Sequence, residues 1–335
     1  MKIIKNMNNQ LKKVPQVLMM AAFLGAAIGL TGCGASIDPE APPLLSEGDI
    51  SQGRDAYFDA LLNGYYSDLD EIIATLKKES DAGDHQSLAV LGFAHSWKLA
   101  EYRRDPVDES ITEHAKLAAD AFSGSIKEIP HDARLLGFRG SFRQARGKIE
   151  NNSLMTALGW FDEVNAAKRW PAWGLFTKAY GLITFGPDES LYKQGIDFLW
   201  DNLDICAGEA VNRESFNLQD YPQLTQPNAD PRIERPCTNT PVAPHNLEGF
   251  FLYFGDMYSK ASNLSKAETM YLTALEVNSG DWPYADVAAK RIERLQELPV
   301  LFNLERGSSE QVSVDEINLF QSQISCVVCH QGSSK

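Results

Sequence analysis

The stretch that decides the fold is residues 248–281, which read EGFFLYFGDMYSKASNLSKAETMYLTALEVNSGD. Apolar residues recur every three or four positions here and along most of the chain, and strand-like alternation is scarce, so the pattern predicts helices. Small residues at Gly255, Ala267 and Ala274 would let two helices approach closely. The rings of Tyr258 and Tyr271 would then fill the space between one helical hairpin and the next. The pattern predicts an all-α protein.

This hairpin resembles the tetratricopeptide repeat, a helix–turn–helix unit of about 34 residues. Phe254-Gly255 stands where that repeat has Leu-Gly, and Tyr258 follows. Ala267, Tyr271 and Ala274 fall at the small–aromatic–small positions of the second helix. The resemblance implies a stack of hairpins with a concave surface that holds a protein partner.

Looser copies of the pattern precede this hairpin, and they open at Leu91-Gly92, Leu136-Gly137 and Tyr180-Gly181. Their second helices carry Ala118, Phe122, Ser125 and Pro130 in the first copy, Ala157 and Phe161 in the second, and residues 191–203 in the third. The glycines are 45 and then 44 residues apart, which predicts longer turns or helices than in the plain repeat. With an initial hairpin at 52–80, we expect about five hairpins in a curved TPR-like α-solenoid, over residues 51–206 and 246–298.

The chain after the last hairpin predicts two more helices. Residues 282–298 have the pattern of a capping helix with a solvated face formed by Lys290, Arg291 and Arg294. A break at 299–312 follows, and the capping-box pattern Ser313-Val314-Asp315-Glu316 then starts a final helix within the C-terminal region 299–335. We expect its apolar stripe to pack on the body of the protein: Ile317, Phe320 and Ile324.

The clearest chemical motif is Cys326-Val327-Val328-Cys329-His330, which is the attachment signature of c-type haem. Cys326 and Cys329 would bond to the two vinyl groups of one porphyrin, and His330 would supply an axial nitrogen to the iron. A thioredoxin-like dithiol would need a βαβ setting, which the pattern lacks. A zinc site would need further ligands, such as Cys206 or Cys237. We therefore expect one covalent haem c in a haem-binding helix, with a disulfide or metal site as the alternative.

Residues 317–332 also resemble the opening of a cytochrome c domain, in which a helix with an aromatic residue precedes the motif and a glycine follows. The downstream loop of that family and its axial methionine are missing here. The sixth ligand could therefore come from this chain or from a partner, or the position could be open. His245 is the possible distal ligand to test first. The other candidates are His85, His95, His114, His131, Met155, Met257 and Met270.

Residues 207–245 interrupt the helical pattern with six prolines and several asparagines. Cys206 and Cys237 flank or lie in this segment, and in an oxidising compartment a disulfide between them is expected. That bond would close a loop of about 30 residues and contribute roughly 3 kcal/mol to stability. Two buried free thiols are the alternative. The irregular segment would either pack over the solenoid or act as a flap that docks a partner or covers the haem.

The N-terminus has the layout of an export signal. Four lysines and no acidic residue occupy positions 1–14, and an apolar run from Val17 to Leu30 follows. This run is too short to span a bilayer. Leu30-Thr31-Gly32-Cys33 resembles a bacterial lipobox, which implies a lipoprotein signal peptide at 1–32 and a lipid on Cys33. Gly34 rather than aspartate follows, which in that family favours the outer membrane, and residues 33–50 would form a tether.

The negative net charge argues against nucleic acid as a partner. Without residues 1–32 the chain keeps 27 basic and 45 acidic residues, a net charge of −18. A chain this acidic is a poor candidate for binding nucleic acid, and it suits a body met by basic protein partners.

These patterns together predict a lipid-anchored monohaem c-type cytochrome, on the periplasmic side of the outer membrane or at the cell surface. It would transfer single electrons with a protein redox partner or within a multiprotein complex. One alternative is an assembly or docking lipoprotein in which the haem is secondary. The other is a haem enzyme or sensor with a five-coordinate iron. No other catalytic motif competes with these interpretations.

Overall fold

The structure is a computed structural model, and it describes residues 51–304 except 102–110, 131, 184, 242 and 279. Several sequence predictions lie outside the described residues. They are the signal peptide, the lipid on Cys33, the tether, the final helix, the ligand candidate His131 and the haem motif with Cys326, Cys329 and His330.

The described residues form thirteen α-helices and no strand, so the all-α prediction is confirmed. The helices are α1 (Gln52–Asn63), α2 (Leu69–Asp81), α3 (His85–Glu101), α4 (Ile111–Glu128), α5 (Ala133–Ile149), α6 (Ser153–Arg169), α7 (Pro171–Leu182), α8 (Ser190–Ala207), α9 (Pro231–Cys237), α10 (Asn246–Lys260), α11 (Leu264–Val277), α12 (Ala285–Glu293) and α13 (Leu298–Asn303). Among the described residues, none of these helices is both long enough and apolar enough to cross a bilayer.

Polar side chains and glycines define where several helices begin and end. The side chains of Ser51, Asn152 and Asn263 accept hydrogen bonds from backbone N–H groups in the first turns of α1, α6 and α11. These bonds satisfy donors that have no partner within the helix. Gly64 and Gly208 follow α1 and α8 with φ of 71° and 72°, a left-handed conformation that glycine adopts without steric cost.

Contacts between consecutive helices show that α5 with α6 and α7 with α8 are antiparallel pairs. In α5 and α6, Gly140 lies against Gly159, and Arg139 binds Asp162. In α7 and α8, Lys178 lies over the ring of Phe198, 4.1 Å from its centroid, and Leu182 lies against Gly195. The residue numbers rise on one helix while they fall on the other, as a helical hairpin requires.

A row of aromatic rings joins the first helices of successive hairpins. Ring centroids lie 6.0 Å apart for Tyr57 and Trp97, 4.9 Å apart for Phe93 and Phe138, and 5.7 Å apart for Phe138 and Trp173. The row continues from α7 to α10 through Phe176 and Phe250, 5.6 Å apart. Edge-on and tilted rings at these distances attract one another in addition to burying apolar area. The rings thus connect α1, α3, α5, α7 and α10.

The two predicted ring positions of the last hairpin have different neighbours. The ring of Tyr258 contacts the preceding hairpin, since its hydroxyl accepts a hydrogen bond from Trp200 Nε1 at 2.6 Å. The ring of Tyr271, by contrast, lies within its own hairpin, over Gly255. A side chain at residue 255 would overlap this ring, so the glycine is required for close approach.

The second loose copy differs from its predicted register. Ala157 and Phe161 were expected at the small and aromatic contact positions of α6, but Phe161 is 46% exposed. The close contact forms instead at Gly140 and Gly159, where each backbone carbonyl lies against the other glycine. This glycine contact sets the rotation of α6 about its axis and turns residue 161 toward solvent.

The predicted capping helix at 282–298 is wrong in extent, and its predicted solvated face is confirmed at Lys290 but wrong at Arg291. Residues 285–293 form α12, and α13 begins at Leu298 with Pro299 in its first turn. Pro299 has no backbone N–H to donate to the carbonyl of Leu295, and its ring would clash with that carbonyl, so one helix does not continue through this point. Arg291, expected in solvent, is completely buried.

Candidate functional site

The irregular segment is attached to the hairpins by the predicted pair of cysteines. The sulfur atoms of Cys206, in the last turn of α8, and Cys237, at the end of α9, are bonded at 1.97 Å. The segment is more ordered than its sequence indicates, because it includes α9 and the 3-10 turns Leu218–Asp220 and Pro222–Thr225. Leu224 is fully buried and belongs to the same core as α8 and α10. The segment therefore packs over these helices.

Three polar atoms at the end of this segment are buried without a hydrogen-bond partner among the described residues. They belong to Thr240 Oγ1, His245 Nδ1 and Glu248 Oε1. The His245 and Glu248 side chains are only 7% and 0% exposed, and their unpartnered atoms lie 3.5 Å apart. The other carboxylate oxygen of Glu248 accepts a hydrogen bond from Asn239 Nδ2 at 2.7 Å. Buried polar atoms without a hydrogen-bond partner are uncommon in proteins, so this cluster is a candidate site.

The geometry of His245 approaches one requirement of an iron ligand, a carboxylate beside the second ring nitrogen. Histidines that bind metals commonly direct their second ring nitrogen to a carboxylate, which fixes the ring orientation and the tautomer. Glu248 Oε1 lies 3.5 Å from Nδ1 of His245, near this arrangement but without a hydrogen bond, and Nε2 is the nitrogen that would remain for a metal.

The second requirement is room for a porphyrin beside the ring, and His245 does not meet it because its side chain is only 7% exposed. A cavity of about 160 Å³ is lined by Leu224, Thr225, Gln226, Pro227, Glu234, Thr238, Asn239, Leu247 and Val277. Sites for small organic ligands typically measure about 300–1,000 Å³. Neither His245 nor Glu248 lines this cavity, so it gives no access to the His245 ring. Because that ring is buried, the segment would have to open before an iron could reach it. The assignment of His245 as distal ligand stays a prediction.

The other candidate ligands in the described residues have different surroundings. Met257 and Met270 are buried in the core between α8, α10 and α11. His85 is exposed and lies 3.9 Å from Glu128. Met155, near the start of α6, is half-buried. Within the described residues, no group of three or more His, Cys, Asp or Glu side chains is placed to hold a metal ion.

His95 and His114 form a pair across the hairpin of α3 and α4. Their Nδ1 atoms lie 3.0 Å apart, so one ring donates a hydrogen bond and the other accepts it. Burial, together with the positive charges of His114 and Lys98, lowers the pKa of His95 to about 4. His95 is therefore uncharged at neutral pH, and its hydrogen bond to His114 joins the two helices.

The depressed pKa of His95 predicts loss of stability in mild acid. In the unfolded chain the His95 ring binds a proton near pH 6.5, whereas in the folded chain it does so only near pH 4. The neutral ring therefore makes its full contribution to stability above about pH 6.5, and this contribution falls as the pH drops from 6.5 toward 4. The expected loss is about 2 kcal/mol between pH 7.5 and pH 5. Urea unfolding at both pH values measures it. His95→Gln should show about 2 kcal/mol less pH dependence than the natural chain, whereas equal pH dependence would contradict the assignment.

A buried network in the last hairpin was not predicted from the sequence. Asp256 Oδ1 accepts hydrogen bonds from Tyr271 Oη at 2.8 Å and from Arg291 Nε at 3.0 Å, and Tyr271 Oη also lies 2.8 Å from Ser259 Oγ. Burial, together with the negative charge of Asp256, raises the pKa of Tyr271 well above its usual value. The network holds α10, α11 and α12 together. The sequence signal for it was slight, namely one acidic residue, Asp256, in the otherwise apolar run from Phe250 to Tyr258.

The chain matches no protein-family model, no curated protein and no solved structure.

Proposed function

We propose that the chain is an exported, lipid-anchored, monohaem c-type cytochrome that transfers single electrons to or from a protein partner. The observation that carries the proposal is the sequence Cys326-Val327-Val328-Cys329-His330. Two thiols at this spacing and an adjacent histidine are what covalent haem attachment requires. The disulfide between Cys206 and Cys237 supports the proposal, because haem of this type and structural disulfides both belong to oxidising compartments.

The helical body would serve as a scaffold that presents the haem. We propose that its hairpins stack as a tetratricopeptide-like solenoid, a proposal supported by the row of rings joining α1, α3, α5, α7 and α10. Such a stack offers an extended concave face to a protein partner. The net charge of −18 after removal of the signal favours a basic partner, since opposite charges accelerate encounter.

The roles of the individual residues follow from their chemistry. Cys326 and Cys329 would hold the porphyrin covalently, and His330 would be the proximal ligand. When bound, the haem supplies an iron that gains and loses one electron. His245 is the proposed distal ligand, with Glu248 orienting its ring.

Absorption spectroscopy tests the proposal. The mature chain, produced in a host that attaches c-type haem, should give the reduced spectrum of a covalent haem that denaturation does not release. Cys326→Ala/Cys329→Ala should lose all covalent haem while keeping the helical circular dichroism of the natural chain. A natural chain that carries no haem under these conditions would overturn the proposal. Carbon monoxide binding by the reduced protein would overturn the distal ligand alone.

A second candidate function is an assembly or docking lipoprotein in which the haem is secondary. The row of hairpins favours it, because this architecture provides protein-binding surface rather than an enclosed cofactor site. The Cys326→Ala/Cys329→Ala variant separates the two functions. Unchanged partner binding and unchanged phenotype in that variant would select the docking function.

A further inference from the structure

An apolar face of α6 lies in solvent. Leu154, Leu158 and Phe161 are 68%, 45% and 46% exposed, and Asn165 and Lys168 continue the same exposed face. Intervals of four and three residues place these side chains in one line along the helix. Contiguous exposed apolar side chains on a soluble protein usually mark a surface that another element covers.

We propose that the chain's own C-terminal segment, residues 313–325, binds to this face of α6. The spacing of apolar residues in the two sequences is complementary. On α6 the intervals are four and then three residues (Leu154, Leu158, Phe161). In the C-terminal segment, read from Ile324 through Phe320 to Ile317, the intervals are also four and then three residues. An antiparallel pairing therefore aligns all three positions: Ile324 with Leu154, Phe320 with Leu158, and Ile317 with Phe161.

The charges of the two partners are also complementary. The hairpin of α5 and α6, residues 133–169, holds seven basic and three acidic residues, a net charge of +4 in a chain of net charge −14. Residues 305–335 hold four acidic and two basic residues, a net charge of −2. Asp315 and Glu316 precede the apolar stripe and would lie toward the end of α6 that carries Lys168. Attraction between these charges favours the antiparallel direction.

The described chain ends within reach of this face. Asn303 Nδ2 donates a hydrogen bond to the carbonyl of Lys260 at 2.9 Å, and Lys260 Nζ donates one to the carbonyl of Phe185 at 2.9 Å. The end of α13 therefore lies near the turn after α7. The next helix is α6, whose Trp160 ring lies 5.7 Å from Lys178 Nζ of α7. Twelve residues lie between Leu304 and Ile317, and the thirteen steps along the chain can span up to about 45 Å, several helix diameters.

The pairing has a consequence for the haem motif. In this register Cys326 comes opposite Asn152, at the turn between α5 and α6, within one helical turn of Met155. This consequence rests on the proposed function, whereas the docking of residues 313–325 does not require haem.

Hydrogen exchange in the full mature chain tests the docking. Amides of residues 317–325 should be protected in the natural chain, and Leu158→Glu should accelerate their exchange about tenfold or more. The matched control is Leu272→Glu on α11, which replaces a leucine of similar exposure, 52%, and should leave this exchange unchanged. Equal exchange in the natural chain and Leu158→Glu would overturn the proposal. So would a dimer, measured by light scattering, that Leu158→Glu dissociates, because a second copy would then cover the face.

A variant of the segment itself tests the same contact from the other side. Phe320→Glu should accelerate exchange of residues 317–325 as much as Leu158→Glu does, and the double variant should add nothing, as expected of two residues in contact. Additive effects would contradict the pairing.

The same measurement on Cys326→Ala/Cys329→Ala separates this inference from the proposed function. Protection should persist in that variant, and its loss would show that the haem rather than α6 orders the segment.

Discussion

Replacement of Arg291 by methionine is expected to lower the free energy of unfolding by about 3–5 kcal/mol. The Arg291 guanidinium and the Asp256 carboxylate are both fully buried and lie 3.0 Å apart. Removal of the arginine leaves an uncompensated charge in the core, and this costs more than the contact itself contributes. The same side chain also lies over the ring of Phe302, 4.9 Å from its centroid, so α13 loses a contact as well.

Urea unfolding followed by circular dichroism measures this effect. Arg294→Met is the matched control, because Arg294 lies three residues further on and pairs with the exposed Glu297 at 2.9 Å. That variant should change stability by less than about 1 kcal/mol. In Asp256→Asn/Arg291→Met both charges are absent, and the amide oxygen introduced at position 256 can still accept a hydrogen bond from the Tyr271 hydroxyl. This double variant should be more stable than Arg291→Met alone. If it is less stable, burial of an unpaired charge is not the cause.

Removal of the disulfide in Cys206→Ala/Cys237→Ala is expected to lower the free energy of unfolding by about 3–4 kcal/mol. The bond joins residues separated by 31 positions, and a cross-link over such a loop reduces the entropy of the unfolded chain by about this amount. The segment also keeps Leu224 buried against α8 and α10, so its local protection from hydrogen exchange should fall with the global stability.

Urea midpoints with and without a thiol reductant separate this effect from the loss of packing. Reductant should lower the midpoint of the natural chain toward that of the alanine variant, and it should leave the variant unchanged. Equal midpoints for both proteins in non-reducing buffer would contradict the prediction.

Much of the architecture could be predicted because it depends on near neighbours in the sequence. The apolar spacing of three and four residues specifies helices wherever it occurs. The small–aromatic pattern predicted the hairpin of α10 and α11, and the looser copies marked α3 with α4, α5 with α6, and α7 with α8. The pairing of Cys206 with Cys237 followed from counting the cysteines that other roles left over.

The candidate site could be predicted only in part. His245 was identified as a residue of interest by its place at the end of the proline-rich segment, yet its partner Glu248 had no signal of its own. Their pairing depends on the first turn of α10, where residues three apart share a face, and on the packing of residues 239–240 above it. The pair of His95 and His114 likewise depends on the register between α3 and α4.

The sequence by itself determined the helical class and the hairpin order, because both depend on spacing along the chain, and the cysteine count indicated the cross-link. The haem attachment at Cys326, Cys329 and His330 stays a prediction from the same kind of spacing. Only the tertiary structure decided which face of each helix is buried. With Gly140 packed against Gly159, the side chains of Leu154, Leu158 and Phe161 are exposed. Arg291 is buried, where it pairs with Asp256. Such choices depend on the relative rotation of packed helices, which is set by contacts between residues far apart in sequence.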